Sequence, residues 1–203
     1  MKVFCFAPVL RQGSYNKKLI RVCAGILEKI PHLEIELSEF NDFSIPVFDG
    51  DIEAQGIPED VRKLGQKIME ADAVLISSPE YNGSIPGPFK NAIDWLSRLD
   101  PVPLEKKIIG LVGASPGQLG AVRGNLHIRV PLHVIGSYVY PEYYGLAQAD
   151  KAFDPKDQLK DSQQIERLTK FLNGFLEYMS RQDSSFSRLK TFLEEQISSH
   201  PHH

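Results

Sequence analysis

The stretch Ser78-Pro79-Glu80-Tyr81-Asn82-Gly83-Ser84-Ile85-Pro86-Gly87-Pro88-Phe89-Lys90-Asn91-Ala92-Ile93-Asp94-Trp95 decides how the rest of the chain is read. It follows the wholly apolar run Ala73-Val74-Leu75-Ile76, and its second half opens with Pro86 and Pro88. A short apolar run bounded by turn residues reads as a strand covered on both faces. Proline is tolerated in the first turn of a helix, where its missing N–H would be unbonded anyway. The segment is therefore a strand–loop–helix unit. A loop at the carboxyl end of a parallel strand is where open α/β sheets bind ligands. Tyr81, Asn82, Gly83 and Ser84 offer ring surface, amide and hydroxyl groups suited to a flat polar heterocycle.

The same alternation continues on both sides. Lys2 to Ala7 is a short strand-like run closed by Pro8. Ser14 is placed to cap a helix to about Ile30, with Leu19, Val22, Cys23, Ile26, Leu27 and Ile30 on one face and Pro31 as its stop. Leu33 to Leu37 alternates with period two, as a half-exposed edge strand does. Pro58 begins a second helix with Val61, Leu64, Ile68 and Met69 facing inward. A third helix runs from about Gly87 to Ser97; Ala92, Ile93 and Trp95 pack, and Lys90 and Asp94 form an i,i+4 pair. Ile108 to Gly113 is a fourth strand, Gly117 to Ile128 a turn and helix, and His133 to Tyr140 a fifth strand. This order predicts an α/β fold: a flavodoxin-like, doubly wound, parallel five-stranded sheet with helices on both faces.

Leu168, Phe171, Leu172, Phe175, Leu176 and Met179 recur at helical spacing as a core stripe, and a second amphipathic piece carries Phe186, Leu189, Phe192, Leu193 and Ile197. One domain over residues 1–182 and a C-terminal helical extension and tail over 183–203 are expected.

Composition narrows the function. The 203 residues are 42% hydrophobic and 24% charged, ordinary values for a soluble globular protein. A formal net charge of -3 gives no general attraction to nucleic acid or anionic membrane. No apolar run approaches the roughly 18 residues of a membrane span, and the N-terminal run is too short for a secretory signal. Cys5 and Cys23 fall on a buried strand and a helix, with no partner at metal-ligand spacing. They read as inert core thiols of a reducing, cytoplasmic compartment.

In a flavodoxin-like sheet the loops after the first, third and fourth strands lie side by side. The first carries Arg11, Ser14 and Asn16 at a helix N-terminus, where free N–H groups, the helix dipole and one guanidinium suit a terminal phosphate. The plainer alternative is that Ser14 caps its helix and Arg11 is a surface charge. Neither a G-x-G-x-x-G fingerprint nor a Walker loop is present. In the second loop, backbone amides from Glu80 to Gly83 could donate to a ring edge, and Tyr81 offers a wall; Asn82-Gly83 also suits a plain turn of positive φ. In the third, Gly113-Ala114-Ser115-Pro116-Gly117-Gln118-Leu119-Gly120 lets backbone approach a ligand closely, with the Ser115 hydroxyl as a donor.

Pro79-Glu80-Tyr81-Asn82 with Ile85-Pro86-Gly87 and Lys90-Asn91-Ala92-Ile93-Asp94-Trp95 strongly resembles the flavin-binding loop of the NADPH-dependent FMN reductase family. Members of that family reduce flavins, quinones, azo dyes or metal oxyanions. Leu10 to Leu19 is similar to the family's phosphate loop, commonly G-S-x-R-x-x-S-x-N, except that Pro8 and Val9 replace Gly and Ser. One hydroxyl and one backbone donor are thereby lost. Gly113 to Gly120, continued by Val122, Arg123 and Leu126, is similar to the third loop. The resemblance covers roughly residues 1 to 145, with a looser match to about 180.

The resemblance implies FMN held by Arg11, Ser14, Asn16, Pro79, Glu80, Tyr81, Asn82, Gly83, Ser115 and Gly117. It implies NADPH or NADH as hydride donor to flavin N5, a small-molecule acceptor, a ping-pong cycle, and no catalytic side chain or metal. A homodimer or homotetramer follows in the same way, with Arg123 and Glu142 as a candidate pair between dimers and His127 at a core edge or interface. Two other readings stay open. One is a flavodoxin-like electron carrier, which would usually be strongly acidic with a Thr/Ser-rich phosphate loop. The other is a flavin-free regulatory or protein-binding descendant, which Pro8-Val9 keeps in view.

Overall fold

The computed structural model describes the backbone of residues 1–198 and the side chains of residues 1–181. Its centre is a parallel sheet in the order β2-β1-β3-β4-β5. The strands are β1 (Lys2–Ala7), β2 (Glu34–Glu39), β3 (Ala73–Ser77), β4 (Ile108–Ala114) and β5 (Tyr138–Leu146). Between them run α1 (Tyr15–Leu27), α2 (Gly50–Ala54), α3 (Glu59–Glu70), α4 (Gly87–Leu96) and α5 (Val122–Ile135), followed by α6 (Ala149–Ala152) and α7 (Ser162–Ser198). This is the flavodoxin-like order, with the chain reversing direction across the sheet between β1 and β3.

Side-chain alternation makes the two layers. On β1, Val3, Cys5 and Ala7 face one core with Leu19, Val22 and Cys23 of α1 and Leu172 and Phe175 of α7. Phe4 and Phe6 face the other, with Val61 and Leu64 of α3, Phe89 and Trp95 of α4, and Ile128 and Leu132 of α5. β3 and β4 are buried at every position, as strands covered on both sides must be. β2, at the edge, is half exposed throughout. The stripe Leu168, Phe171, Leu172, Phe175 and Met179 is buried along α7. Phe186, Leu189, Phe192, Leu193 and Ile197 lie outside the residues whose side chains are described.

Several expectations need correction. Residues 133–135 end α5 and do not start β5. Gly136, at φ 92°, closes the helix by donating to the His133 and Leu132 carbonyls, and the strand begins two residues later. The β-branched pair Val134-Ile135 imitates a strand, yet Val134 is 83% exposed on the helix. β5 also runs further than expected, because a bulge carries it past Pro141. Ile109 pairs with Val139 and Leu111 with Tyr143, so residues 140–142 stand out of the ladder. Arg129 of α5 collects their three carbonyls at 2.9 to 3.0 Å. Met69 is 44% exposed and not inward. Between β2 and α3, a stretch to which no element was assigned above, lie a 3-10 turn at Phe40–Asp42 and the short α2.

Candidate functional site at the carboxyl edge of the sheet

β1, β3 and β4 are adjacent and parallel, so their three following loops leave the sheet on one edge. Asn16 shows how closely they converge. From the first turn of α1 its side chain donates to the Ala114 carbonyl (2.9 Å) and accepts from the Ala114 N–H (2.9 Å) and the Ser77 hydroxyl (3.0 Å). One amide thus ties the helix after β1 to the ends of β3 and β4. Both its polar atoms are engaged and the residue is 2% exposed. The bonds that Asn16 makes here hold the loops together, a role beyond the phosphate contact expected of it.

The first loop leaves several donors unbonded among the described residues. Ser14 caps α1, its Oγ accepting from the Asn16 N–H at 3.2 Å, which leaves the hydroxyl hydrogen free. The backbone N–H groups of residues 11–15 donate to no acceptor among the described residues. Arg11 is exposed, and its guanidinium makes no ion pair or hydrogen bond there. Open space surrounds Gly13. Unbonded amides at a helix N-terminus beside a free guanidinium fit a terminal phosphate group. Lys17 lies elsewhere: its ammonium is bound to Asn41 and, at 3.0 Å, to Glu39.

The second loop is a small hairpin. Tyr81 and Ser84 exchange backbone bonds at 3.2 and 3.0 Å across Asn82 (φ 52°) and Gly83 (φ 75°), a two-residue turn of the primed type. The Tyr81 N–H is therefore closed inside the turn, and the N–H groups of Glu80, Asn82 and Gly83 have no acceptor among the described residues. Pro79 is buried at the base and Tyr81 is 46% exposed at the tip. The carboxylate of Glu80 does not face the loop's open side. It accepts from Arg123 Nη2 (2.6 Å), Arg123 Nε (2.8 Å), the Arg123 N–H (3.0 Å) and the Gly124 N–H (3.2 Å).

Arg123, the candidate partner of Glu142 across an interface, is thus engaged by Glu80 of its own chain. His127, next along α5, is exposed and places Nδ1 3.1 Å from Ser84 Oγ.

In the third loop Ser115 donates its N–H to the Leu146 carbonyl and its own carbonyl accepts from the Ala149 N–H, and the Gly117 carbonyl accepts from the Gln148 N–H. The Ser115 hydroxyl and the Gly117 N–H are left unbonded among the described residues. Each of the three loops also exposes one large apolar side chain: Leu10 at 50%, Tyr81 at 46% and Leu119 at 54%. Behind the third loop the fully buried Asn125 amide has no hydrogen-bond partner among the described residues.

The profile of the NADPH-dependent FMN reductase family matches residues 1–151. The chain belongs to this family. Among relatives, an NAD(P)H-dependent FMN reductase of Pseudomonas aeruginosa is 33% identical over 89% of this chain and 96% of its own. A quinone reductase of Escherichia coli is 35% identical with the same coverage. The solved flavoenzyme FerB, an NAD(P)H:(acceptor) oxidoreductase of Paracoccus denitrificans, superposes with a TM-score of 0.77 at 31% identity, over 89% of this chain and 97% of FerB. Flavodoxin 1 of Bacillus cereus shares the fold at a TM-score of 0.56 and 16% identity, covering 87% of this chain and 97% of its own.

As a member of the NADPH-dependent FMN reductase family, the chain is an oxidoreductase that uses FMN and NAD(P)H. The unbonded donors of its first two loops fit that cofactor: amides and a guanidinium for the phosphate, an amide edge for the ring.

Proposed function

We propose that the chain is an FMN-dependent NAD(P)H oxidoreductase that reduces a quinone, flavin, azo or metal-oxyanion acceptor in a ping-pong cycle. The observation that supports this is the pairing of backbone N–H groups left unbonded among the described residues, those of residues 11–15, with a hairpin after the neighbouring strand whose amides are also unbonded there. FMN, held by these loops, would supply the hydride-accepting and electron-donating chemistry.

Arg11, the Ser14 hydroxyl and the loop amides hold the phosphate. The amides of Glu80, Asn82 and Gly83, the Asn82 side chain and Pro79 would hold the ring. The Ser115 hydroxyl and the Gly117 N–H would add donors from the third loop. Leu10, Tyr81 and Leu119 give donor and acceptor an apolar surface to lie on, which orients them and excludes water. No side chain is needed as acid or base, and either NADPH or NADH serves as donor. The unpaired Arg11 favours this reading over an electron carrier with an uncharged phosphate loop. The unbonded donors that remain at residues 11–15 favour it over a flavin-free descendant, despite the two donors lost at Pro8-Val9.

The purified protein should be yellow. Arg11→Ala should weaken FMN by about 10- to 100-fold, the weight of a charge-assisted phosphate contact. Undiminished flavin in that variant removes the phosphate assignment. Addition of a quinone should drive NADPH oxidation with parallel double-reciprocal plots. No turnover with quinone, ferricyanide or free flavin removes the reductase reading.

The two buried, free cysteines suit a cytoplasmic home, and no helix among the described residues is long and apolar enough to cross a membrane. A homodimer or homotetramer is supported by Leu126, Val130 and Val134, exposed at i, i+4 and i+8 along α5. A monomer mass in sedimentation would remove it.

A further inference from the structure

α5 begins without a cap of its own. Its N-cap position is Ala121, in the left-handed region at φ 66°, with no side-chain bond to the helix. The first N–H groups of any helix need an acceptor, and the positive end of the helix dipole favours an anion there. Glu80 answers both needs from 43 residues upstream. One carboxylate oxygen takes the N–H groups of Arg123 and Gly124, and the other takes the Arg123 guanidinium. The Glu80 side chain is only 8% exposed, whereas that of Arg123 is 60% exposed.

The joint is tight. A Cβ on Gly124 would lie 3.1 Å from Glu80 Cβ, 3.2 Å from Glu80 Cα and 3.2 Å from the Ser84 carbonyl oxygen. Glycine is what lets the helix start lie directly against both stems of the hairpin. Ser84, on the far stem, meets His127 one turn further along α5. Within the hairpin itself the only ties among the described residues are the two Tyr81–Ser84 bonds.

We infer that Glu80 is a positioning residue: through the N-terminus of α5 it fixes the Tyr81–Ser84 hairpin at the height and angle from which its free amides meet FMN. The inference rests on the proposed placement of FMN between these loops. It takes Glu80 out of the set of side chains that touch the cofactor, leaving only its backbone N–H there. The bonds from the helix amides to the mostly buried Glu80 side chain carry the effect. The guanidinium, mostly in water, adds a screened contribution.

The test is FMN affinity, measured by fluorescence quenching well below each variant's melting temperature, so that only folded protein is read. Glu80→Ala should raise Kd about 10- to 100-fold. Glu80→Gln keeps an acceptor but loses the charge, and should fall between Glu80→Ala and wild type. Arg123→Ala leaves both helix-amide bonds in place and should raise Kd by less than about threefold. A role confined to folding would lower the melting temperature and leave Kd unchanged in the folded protein. Wild-type Kd in folded Glu80→Ala or, should that variant not fold, in Glu80→Gln overturns the inference. So does an Arg123→Ala loss as large as that of Glu80→Ala, since the exposed pair and not the helix cap would then set the loop. Arg11→Ala, run in parallel, reports separately on the FMN placement itself.

Discussion

Asn16 carries three hydrogen bonds on one buried amide, two accepted and one donated. Alanine would leave the Ala114 N–H and C=O and the Ser77 hydroxyl without this partner at a point with little access to water. Losing such bonds and orphaning their buried partners costs about 2–4 kcal/mol together. An aspartate in its place would keep the two acceptor contacts, lose the bond to the Ala114 carbonyl, and set an uncompensated carboxylate beside that oxygen. Asn16→Asp should therefore be less stable than Asn16→Ala in urea unfolding at neutral pH, although it is the closer shape. The reverse order would show that the amide donor is of little account. The sequence could not separate this role from phosphate binding. An Asn two residues after a helix cap serves either, and the choice depends on how near the end of β4 comes. Glu80 left a fainter trace. Gly120-Ala121-Val122 opens a helix with no capping side chain, which signals that the acceptor must come from elsewhere, but not from where.

At the scale of elements, β2 is the exposed edge of the sheet, and Glu36 staples it to its neighbours. Its carboxylate binds Lys2 of β1 at 2.7 Å and also binds Lys67 of α3. Burial alone would raise its pKa; the hydrogen bonds and charges of the two lysines outweigh that and hold it below the usual 4.5. A carboxyl group whose folded pKa is depressed stabilises the fold above its unfolded pKa, near about 4.3, and loses that contribution as pH falls through the folded value. Glu36→Gln should thus be less stable than wild type at neutral pH, and in a series of urea melts the gap should narrow as pH falls below the unfolded value and close once it passes the folded one. A gap that stays constant down to strongly acidic pH would rule out an ionic origin.

The elements themselves were readable wherever one period ran unbroken: β3, β4, α1, α4 and the α7 stripe stand where their patterns put them. The start of β5 was missed because Val134-Ile135 has strand character while Gly136, a helix-ending signal, follows directly. Its extension past Pro141 depends on Arg129, a contact between elements that periodicity does not record.

For the molecule as a whole, the last helix covers one face of the sheet, and Gly174 is a point where it lies close to β5. α7 lies over β5, where Tyr140 packs against Phe171, Phe175 and Tyr178 at centroid distances of 5.5, 6.1 and 5.5 Å. A Cβ on Gly174 would fall well inside contact distance of Tyr140 Oη and 3.3 Å from its Cζ. Alanine is the better helix former by about 1 kcal/mol, so on propensity alone Gly174→Ala should stabilise the protein. The clash must instead push the helix outward or turn the ring, and overpacking of this kind costs about 1–3 kcal/mol. The steric effect wins, and Gly174→Ala should be destabilised by a net amount of up to about 2 kcal/mol. Removing the hydroxyl removes most of the conflict, because Cζ alone sits at a tight but tolerable distance. Tyr140→Phe by itself should cost little, since its hydroxyl partner, Glu142, is at the surface. The double variant should then be more stable than Gly174→Ala alone, with a coupling of about 1 kcal/mol or more in the cycle. Additive losses would mean that α7 already stands far enough from β5 to admit a side chain at position 174.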